Sequence, residues 1–202
     1  MKGTNLKSTA KMTCWIIFVL LAIGCDAWIT SSFVGSRVAS RIVNVPASLW
    51  TMGMEVKIRI VGRKNGSEKW LEEAYSMYET RLRPSSLDVE TVWHKTDPDL
   101  IKAVETDREK GHTVVLMDPT GKMRSSEQFS EDLFSWIASG GSRLVFVIGG
   151  APGLPPELKN HPSKTKLISL SPMTFTHQFA RTILMEQIYR ASEIRKGSGY
   201  HK

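Results

Sequence analysis

The sequence is poor in cysteine. It has two in 202 residues, Cys14 and Cys25, both within the first 25 positions. The rest of the chain therefore cannot be a disulfide scaffold, hold a thiolate zinc site or an iron–sulfur cluster, or use a cysteine nucleophile. Histidine is sparse too. His94, His112, His161, His177 and His201 are scattered without ligand spacing, and no HExxH occurs, so no resident metal is expected. There is no GxSxG for a serine hydrolase, no GxGxxG between a strand and a helix, and no GxxxxGK[ST]. The usual dinucleotide and P-loop readings thus lack their phosphate cradle. What remains is an ordinary globular composition, 41% hydrophobic and 23% charged, with 15 Gly and 9 Pro.

The front of the chain reads as an address. Lys2, Lys7 and Lys11 precede the apolar run CWIIFVLLAIG, Cys14 to Gly24. As a helix that run is about 16 Å long, roughly half a hydrocarbon core, which suits a signal-peptide h-region better than a membrane anchor. Residues 28–53 contain no acid, carry Arg37 and Arg41, and are rich in serine, as a transit peptide is. The expected organisation is a signal peptide over 1–27, a transit-peptide-like segment over 28–53, and one domain over 54–202. This two-part presequence resembles that of algae whose plastids have extra membranes. A plastid is the expected destination, with a mitochondrion as the alternative.

From Glu55 onward the patterning becomes regular. EVKIRIV (Glu55–Val61) and LDVETVW (Leu87–Trp93) alternate with period two and predict strands. TVVLMD (Thr113–Asp118) and RLVFVIGG (Arg143–Gly150) are continuous apolar runs, as in strands covered on both faces. KLISLS (Lys166–Ser171) predicts a short fifth strand. Between them lie helical patterns: Trp70, Leu71, Ala74, Met77, Tyr78 and Leu82 up to Pro84; a polar helix from Asp97-Pro98 to near Gly111; and Phe129, Leu133, Trp136 and Ile137 after a Ser125/Gln128 capping box. A last helix over about Thr176–Arg195 is expected to bury Phe179, Ile183, Leu184, Ile188 and Ala191. Strands alternating with helices imply an α/β fold, an open sheet with helices on both faces.

Ligands of such sheets bind beyond the carboxyl ends of the strands. Three ends stand out: MDPTGK, IGGAPGLPPEL and SLSPMTF. Gly149, Gly150 and Gly153 would permit a close backbone approach, or simply serve a turn. Asp118 is a candidate catalytic carboxylate, but more readily an Asx bond that pins the turn at Pro119. Charge is unevenly spread. Residues 55–158 hold 14 basic and 17 acidic residues, whereas 159–202 hold 8 basic and 2 acidic. That predicts a positive face built from Lys159, Lys164, Lys166, Arg181, Arg190, Arg195, Lys196 and Lys202, suited to RNA or to an acidic protein. The terminal RKGSGYHK adds Tyr200, which can stack on a base, and His201, which titrates near neutrality.

The collinear series VVLMDPTGK, SSEQF, LVFVIGG, SLSPMTF, HQFARTILMEQIYRA and GYHK resembles the RlmH family of the SPOUT superfamily. The resemblance covers residues 55–202. It implies an S-adenosylmethionine-dependent methyltransferase acting on N3 of a pseudouridine in large-subunit rRNA, within an assembled ribosome. It also implies an open sheet whose C-terminal part forms a trefoil knot, and a homodimer. The implied cofactor contacts are Leu116, Gly149, Leu170, Ser171, Pro172, Met173, Thr174 and Phe175. The implied tail, Tyr200, His201 and Lys202, completes the site across the dimer. Tyr200, His201 and Arg181 are the candidate catalytic groups, His201 as base and Arg181 to hold anionic oxygen or phosphate, and His177, Arg190, Lys196 and Lys202 are the expected RNA contacts. One position departs from the family pattern: Thr176 stands where proline is common, and is expected to cap the helix instead. The competing readings are a non-catalytic RNA-binding or ribosome-assembly factor, and a methyltransferase of another RNA such as tRNA.

Overall fold

Alternation along the first strand decides how the sheet is filled. In the computed structural model, which describes residues 53–64, 68–161 and 165–201, β1 (Met54–Val61) buries Met54, Val56, Ile58 and Ile60 on one face and leaves Glu55, Lys57, Arg59 and Val61 half-buried on the other. The segments expected to be a signal peptide (1–27) and a transit peptide (28–53) lie outside the described residues, apart from Gly53. There follow α1 (Lys69–Leu82), β2 (Leu87–His94), α2 (Asp97–Glu109), β3 (Thr113–Met123), α3 (Ser126–Ser139), β4 (Arg143–Ile148), α4 (Pro156–Lys159), β5 (Lys166–Ser169) and α5 (His177–Lys196). The five strands are parallel, in the order β2-β1-β4-β3-β5.

Two cores sandwich the sheet. Helices α1, α3 and α5 pack over one face, around Tyr75, Phe129, Phe146, Leu184 and Ile188. On the other face, Leu100 and Val104 of α2 and Leu158 of α4 meet Leu116, Val145 and Val147. The helices begin where side chains can replace missing backbone partners. Thr96 accepts from the Asp99 N–H, Ser125 and Gln128 form the expected capping box, and Thr176 accepts from the Phe179 N–H at 3.3 Å.

Some expectations are corrected. Strand β3 does not stop at Asp118: residues 118–121 bulge out, and Lys122 and Met123 rejoin β5 beside Ile168 and Ser169. On α1 the inward stripe is Leu71, Tyr75 and Leu82, while Trp70 and Met77 are exposed, at 57% and 41%. That helix carries two apolar lines about one residue apart, and packing against α5 selects one of them. On α5, Leu184, Ile188 and Ala191 are buried as expected, but Phe179 and Ile183 are only half-buried. The buried charge on that helix is Arg181, at 3% exposure.

Candidate functional site

Because the strands are parallel, the carboxyl ends of β3, β4 and β5 open on the same edge. There the three glycine-, serine- and proline-rich segments enclose a cavity of about 390 Å³. Met117, Asp118 and Thr120 come from the end of β3, Ile148 to Leu154 from β4, and Ser169 to Ser171 with Met173 to Phe175 from β5. His177 and Ala180 of α5 close it. The volume lies within the roughly 300–1,000 Å³ typical of small-molecule sites.

Each wall is stiffened by local chemistry. Gly149 is required where it stands, since a Cβ there would lie 2.2 Å from the Gly153 carbonyl oxygen. The loop folds tightly enough for Gly150 and Gly153 to pair as an isolated bridge. In the β5 segment the Ser169 hydroxyl donates to the Ser171 carbonyl at 2.8 Å, and the Met173 N–H donates to the Ser171 hydroxyl at 3.0 Å. Serine hydroxyls thus replace regular backbone pairing in a segment that Pro172 keeps out of a helix. Asp118 is buried and accepts from both the N–H and the hydroxyl of Thr120, at 2.9 and 2.6 Å, while its second oxygen pairs with Lys159. Burial pushes its carboxyl pKa up, but the bonds from Lys159 and Thr120 outweigh this and hold it below the usual value. The expected Asx turn is therefore present, with an ion pair to α4 added.

Six of the expected cofactor residues line the cavity: Gly149, Leu170, Ser171, Met173, Thr174 and Phe175. Leu116 does not. Its side chain is buried in the second core, on the α2 face, and its neighbours Met117 and Asp118 reach the cavity in its place. Pro172 is exposed and outside the wall. His177 is part of the wall and lies against the end of β1: a Cβ on Gly62, whose φ is 145°, would approach its Nε2 to 3.0 Å. Lys159 is a wall residue that sequence reasoning placed only in the general positive face. No spacing rule links it to Asp118, because the pair exists only once α4 has docked.

The groups expected to act on RNA lie elsewhere. Tyr200 donates to Glu186 at 3.2 Å and packs edge-on against Tyr189 at 4.9 Å. Arg190 binds the same Glu186 at 2.6 and 3.0 Å and sits over the Tyr200 ring. His201 Nε2 lies 2.7 Å from Glu127 at the start of α3, and its Nδ1 lies 3.4 Å from Arg190 Nη1. Burial, and then the Glu186 charge, push the Tyr200 phenol up to about 12. Hydrogen bonds from Ser125 and His201 hold Glu127 down to about 2. This cluster lies about 13–20 Å along α5 from His177, at 1.5 Å per residue, and touches none of the cavity of its own chain. Arg181 is outside the cavity as well: its guanidinium lies 3.8 Å from the centre of the Tyr75 ring and donates to Glu72 at 2.8 Å, tying α5 to α1.

The expected positive face is weaker than the charge count. Lys159 is neutralised by Asp118, Arg181 by Glu72, Arg190 by Glu186 and Lys196 by Glu193, and Arg195 lies over Phe134. Lys164 and Lys202 lie outside the described residues.

Comparison with known proteins agrees with this arrangement. The family model described as "Predicted SPOUT methyltransferase" matches residues 54–201. Ribosomal RNA large subunit methyltransferase H of Protochlamydia amoebophila is 46% identical over 147 residues, 73% of this chain and 99% of its own length. The protein of the same name from Ruminiclostridium cellulolyticum is 38% identical over 163 residues, 74% of this chain and all of its own length. Among solved structures, a Legionella pneumophila methyltransferase in complex with the bound cofactor SAM aligns at a TM-score of 0.40 and 11% identity, covering 69% of this chain and 67% of that one. Likeness at that level decides nothing further. The length and identity of the sequence matches do: the chain belongs to the RlmH family of SPOUT methyltransferases.

Proposed function

We propose that the chain is an S-adenosylmethionine-dependent methyltransferase of large-subunit ribosomal RNA, acting on N3 of a pseudouridine in an organellar ribosome. The observation that carries this reading is the cavity at the ends of β3, β4 and β5, in a chain whose relatives are named for large-subunit rRNA methylation. The residues present fit the cofactor. Met117, Ile148, Leu170 and Phe175 offer apolar walls for a base, and Ser171 and Thr174 offer hydroxyls. The glycine loop allows close backbone approach, and the only carboxylate in the wall is already paired with Lys159. When bound, S-adenosylmethionine supplies a methyl group on a sulfonium.

What this chain must add is an aligned acceptor and a place for its proton, since an imide nitrogen keeps its proton at neutral pH. His201 is suited to take it. Glu127 is ionised and can only accept, so neutral His201 donates from Nε2, and its Nδ1 lone pair, which accepts from Arg190, becomes available to a proton when that guanidinium turns to the substrate. Glu186 holds Tyr200 and Arg190 together, placing an aromatic ring and a guanidinium next to that lone pair. Arg190 can stabilise developing negative charge on the base. Arg181, committed to Glu72 and Tyr75, serves to position α5.

Tyr200 and His201 touch none of the cavity of their own chain, which supports a site completed across a homodimer. Two α5 helices packed antiparallel would bring the tail of one protomer to the His177 end of the other. Exposed Trp70 lies 6.0 Å from Phe179, which lies 5.6 Å from Phe175, and this aromatic line offers apolar surface for such a contact. The same reading includes the trefoil threading of the C-terminal segments around this cavity. It assigns residues 1–53, which precede the family match, to plastid targeting.

The test supplies the protein with labelled S-adenosylmethionine and large ribosomal subunits that lack the modification. The digested nucleosides are then separated and identified by mass. Label in 3-methylpseudouridine is the expected result. Cofactor binding without label would transfer the activity to another RNA, and failure to bind the cofactor would leave a non-catalytic RNA-binding protein.

A further inference from the structure

Helix α2 covers the β3 and β4 side of its sheet face and leaves a groove of about 510 Å³ along β1. The outward residues of β1 are charged although the strand lies inside the sheet, between β2 and β4. Two carboxylates lie in this groove, and each is shared by two basic groups. Glu55 pairs with Lys57 at 2.6 Å and Arg143 at 3.1 Å. Asp107, 3% exposed, takes both Nε and Nη2 of Arg59 at 2.6 and 3.0 Å, with His112 Nδ1 3.4 Å away. Lys110, exposed on the groove's rim, has no carboxylate partner among the described residues.

The two carboxylates are thus outnumbered by four permanent cations. The His112 side chain is only 7% exposed, and its buried Nδ1 faces the Asp107 carboxylate at 3.4 Å, so it belongs to the Arg59–Asp107 cluster beneath the groove. On β2, Asp88 and Glu90 stand in register with Glu55 and Lys57 on the same sheet face, so the cationic side of the groove is the one toward Arg143 and Lys110. The groove lies on the face opposite α1, α3 and α5 and apart from the cavity at the strand ends.

We propose that this groove holds a phosphodiester segment of the RNA substrate, through Lys57, Lys110 and Arg143 at its rim. The proposal rests on the RNA-methyltransferase reading for the identity of the anion. The geometry gives the described domain a place to hold a polyanion although Lys159, Arg181, Arg190 and Lys196 are each paired with a carboxylate.

The test compares the full chain with Lys57→Ala/Lys110→Ala and with the exposed charge reversal Lys110→Glu. It measures binding to a fluorescent oligouridylate over a range of potassium chloride, and S-adenosylmethionine binding in parallel. Loss of two phosphate contacts lowers the log–log salt slope by about 1.4 and weakens binding about tenfold or more, with cofactor affinity unchanged. Wild-type slope and affinity in both variants would overturn the proposal, as would a wild-type chain that does not bind the oligonucleotide. Inorganic phosphate that binds saturably and is not displaced by the oligonucleotide would assign the groove to a free anion and also overturn it. The methylation assay separates the two readings: a slope change in a chain that methylates no rRNA leaves the groove standing and removes the activity.

Discussion

Asp118 joins the turn after β3 to helix α4 through one carboxyl group, with Thr120 on one oxygen and Lys159 on the other. Asp118→Asn keeps the Thr120 bonds and leaves Lys159 without its counter-charge, so a loss of about 1–3 kcal/mol in denaturant unfolding is expected. The folded-state pKa of Asp118 is depressed, so its contribution is complete above the unfolded value and disappears as pH falls through the folded one. The asparagine variant should accordingly show a flatter loss of stability on acidification. Tyr200 has the opposite sign. Its phenol is held up to about 12, so the docked tail is fully stabilised below pH 10 and loosens between 10 and about 12. An ultraviolet titration should show that tyrosine ionising late, and Glu186→Gln should bring it back toward normal. Gly149→Ala leaves no room for its methyl group against Gly153, and loss of S-adenosylmethionine binding in calorimetry is the expected outcome.

At the scale of elements, helix α5 shows how much a single start position matters. Thr176 caps it with φ −61° and ψ 150°, a φ that proline adopts without strain. Thr176→Ala should cost about 1 kcal/mol by removing the cap, whereas Thr176→Pro should come within that margin of the parent, both read as melting temperatures. At the other end, Gly197 in the left-handed conformation stops the helix and turns the tail back along it. Removing Tyr200–Lys202 is expected to abolish turnover with cofactor affinity nearly intact, because the tail touches no wall of its own cavity. Equal loss of both would place the tail in the cofactor site. The four-residue stripe of α3 and its capping box were legible because capping and helical periodicity are local. The inward line of α1 was not: Trp70 and Leu71 are equally apolar, and only the α1–α5 contact chooses between them.

For the whole molecule, the proposed dimer makes a direct prediction. Trp70→Glu places a charge on the exposed aromatic line beside Phe179, and sedimentation should show a shift from dimer toward monomer. Methyl transfer should fall with it while each monomer still binds the cofactor, since the cavity belongs to one chain. A variant that stays dimeric and active would move the interface to another face.

The sequence by itself determined the type and order of the elements apart from the short helix α4, the parallel α/β class and the three strand ends where a ligand could sit. These follow from period-two and period-3.6 patterns, caps and turn residues, all physics of near neighbours. Tertiary structure decided which side of the sheet each side chain meets and which charges neutralise one another. Leu116 faces the α2 core because alternate residues of a strand point to opposite faces, which turns Met117 to the cavity, and the bulge that begins at Asp118 brings that residue there too. Arg181 and Lys159 are paired only because distant segments bring Glu72 and Asp118 to them. The groove beside α2 exists because one helix covers only part of the sheet face, which no local pattern along β1 could specify.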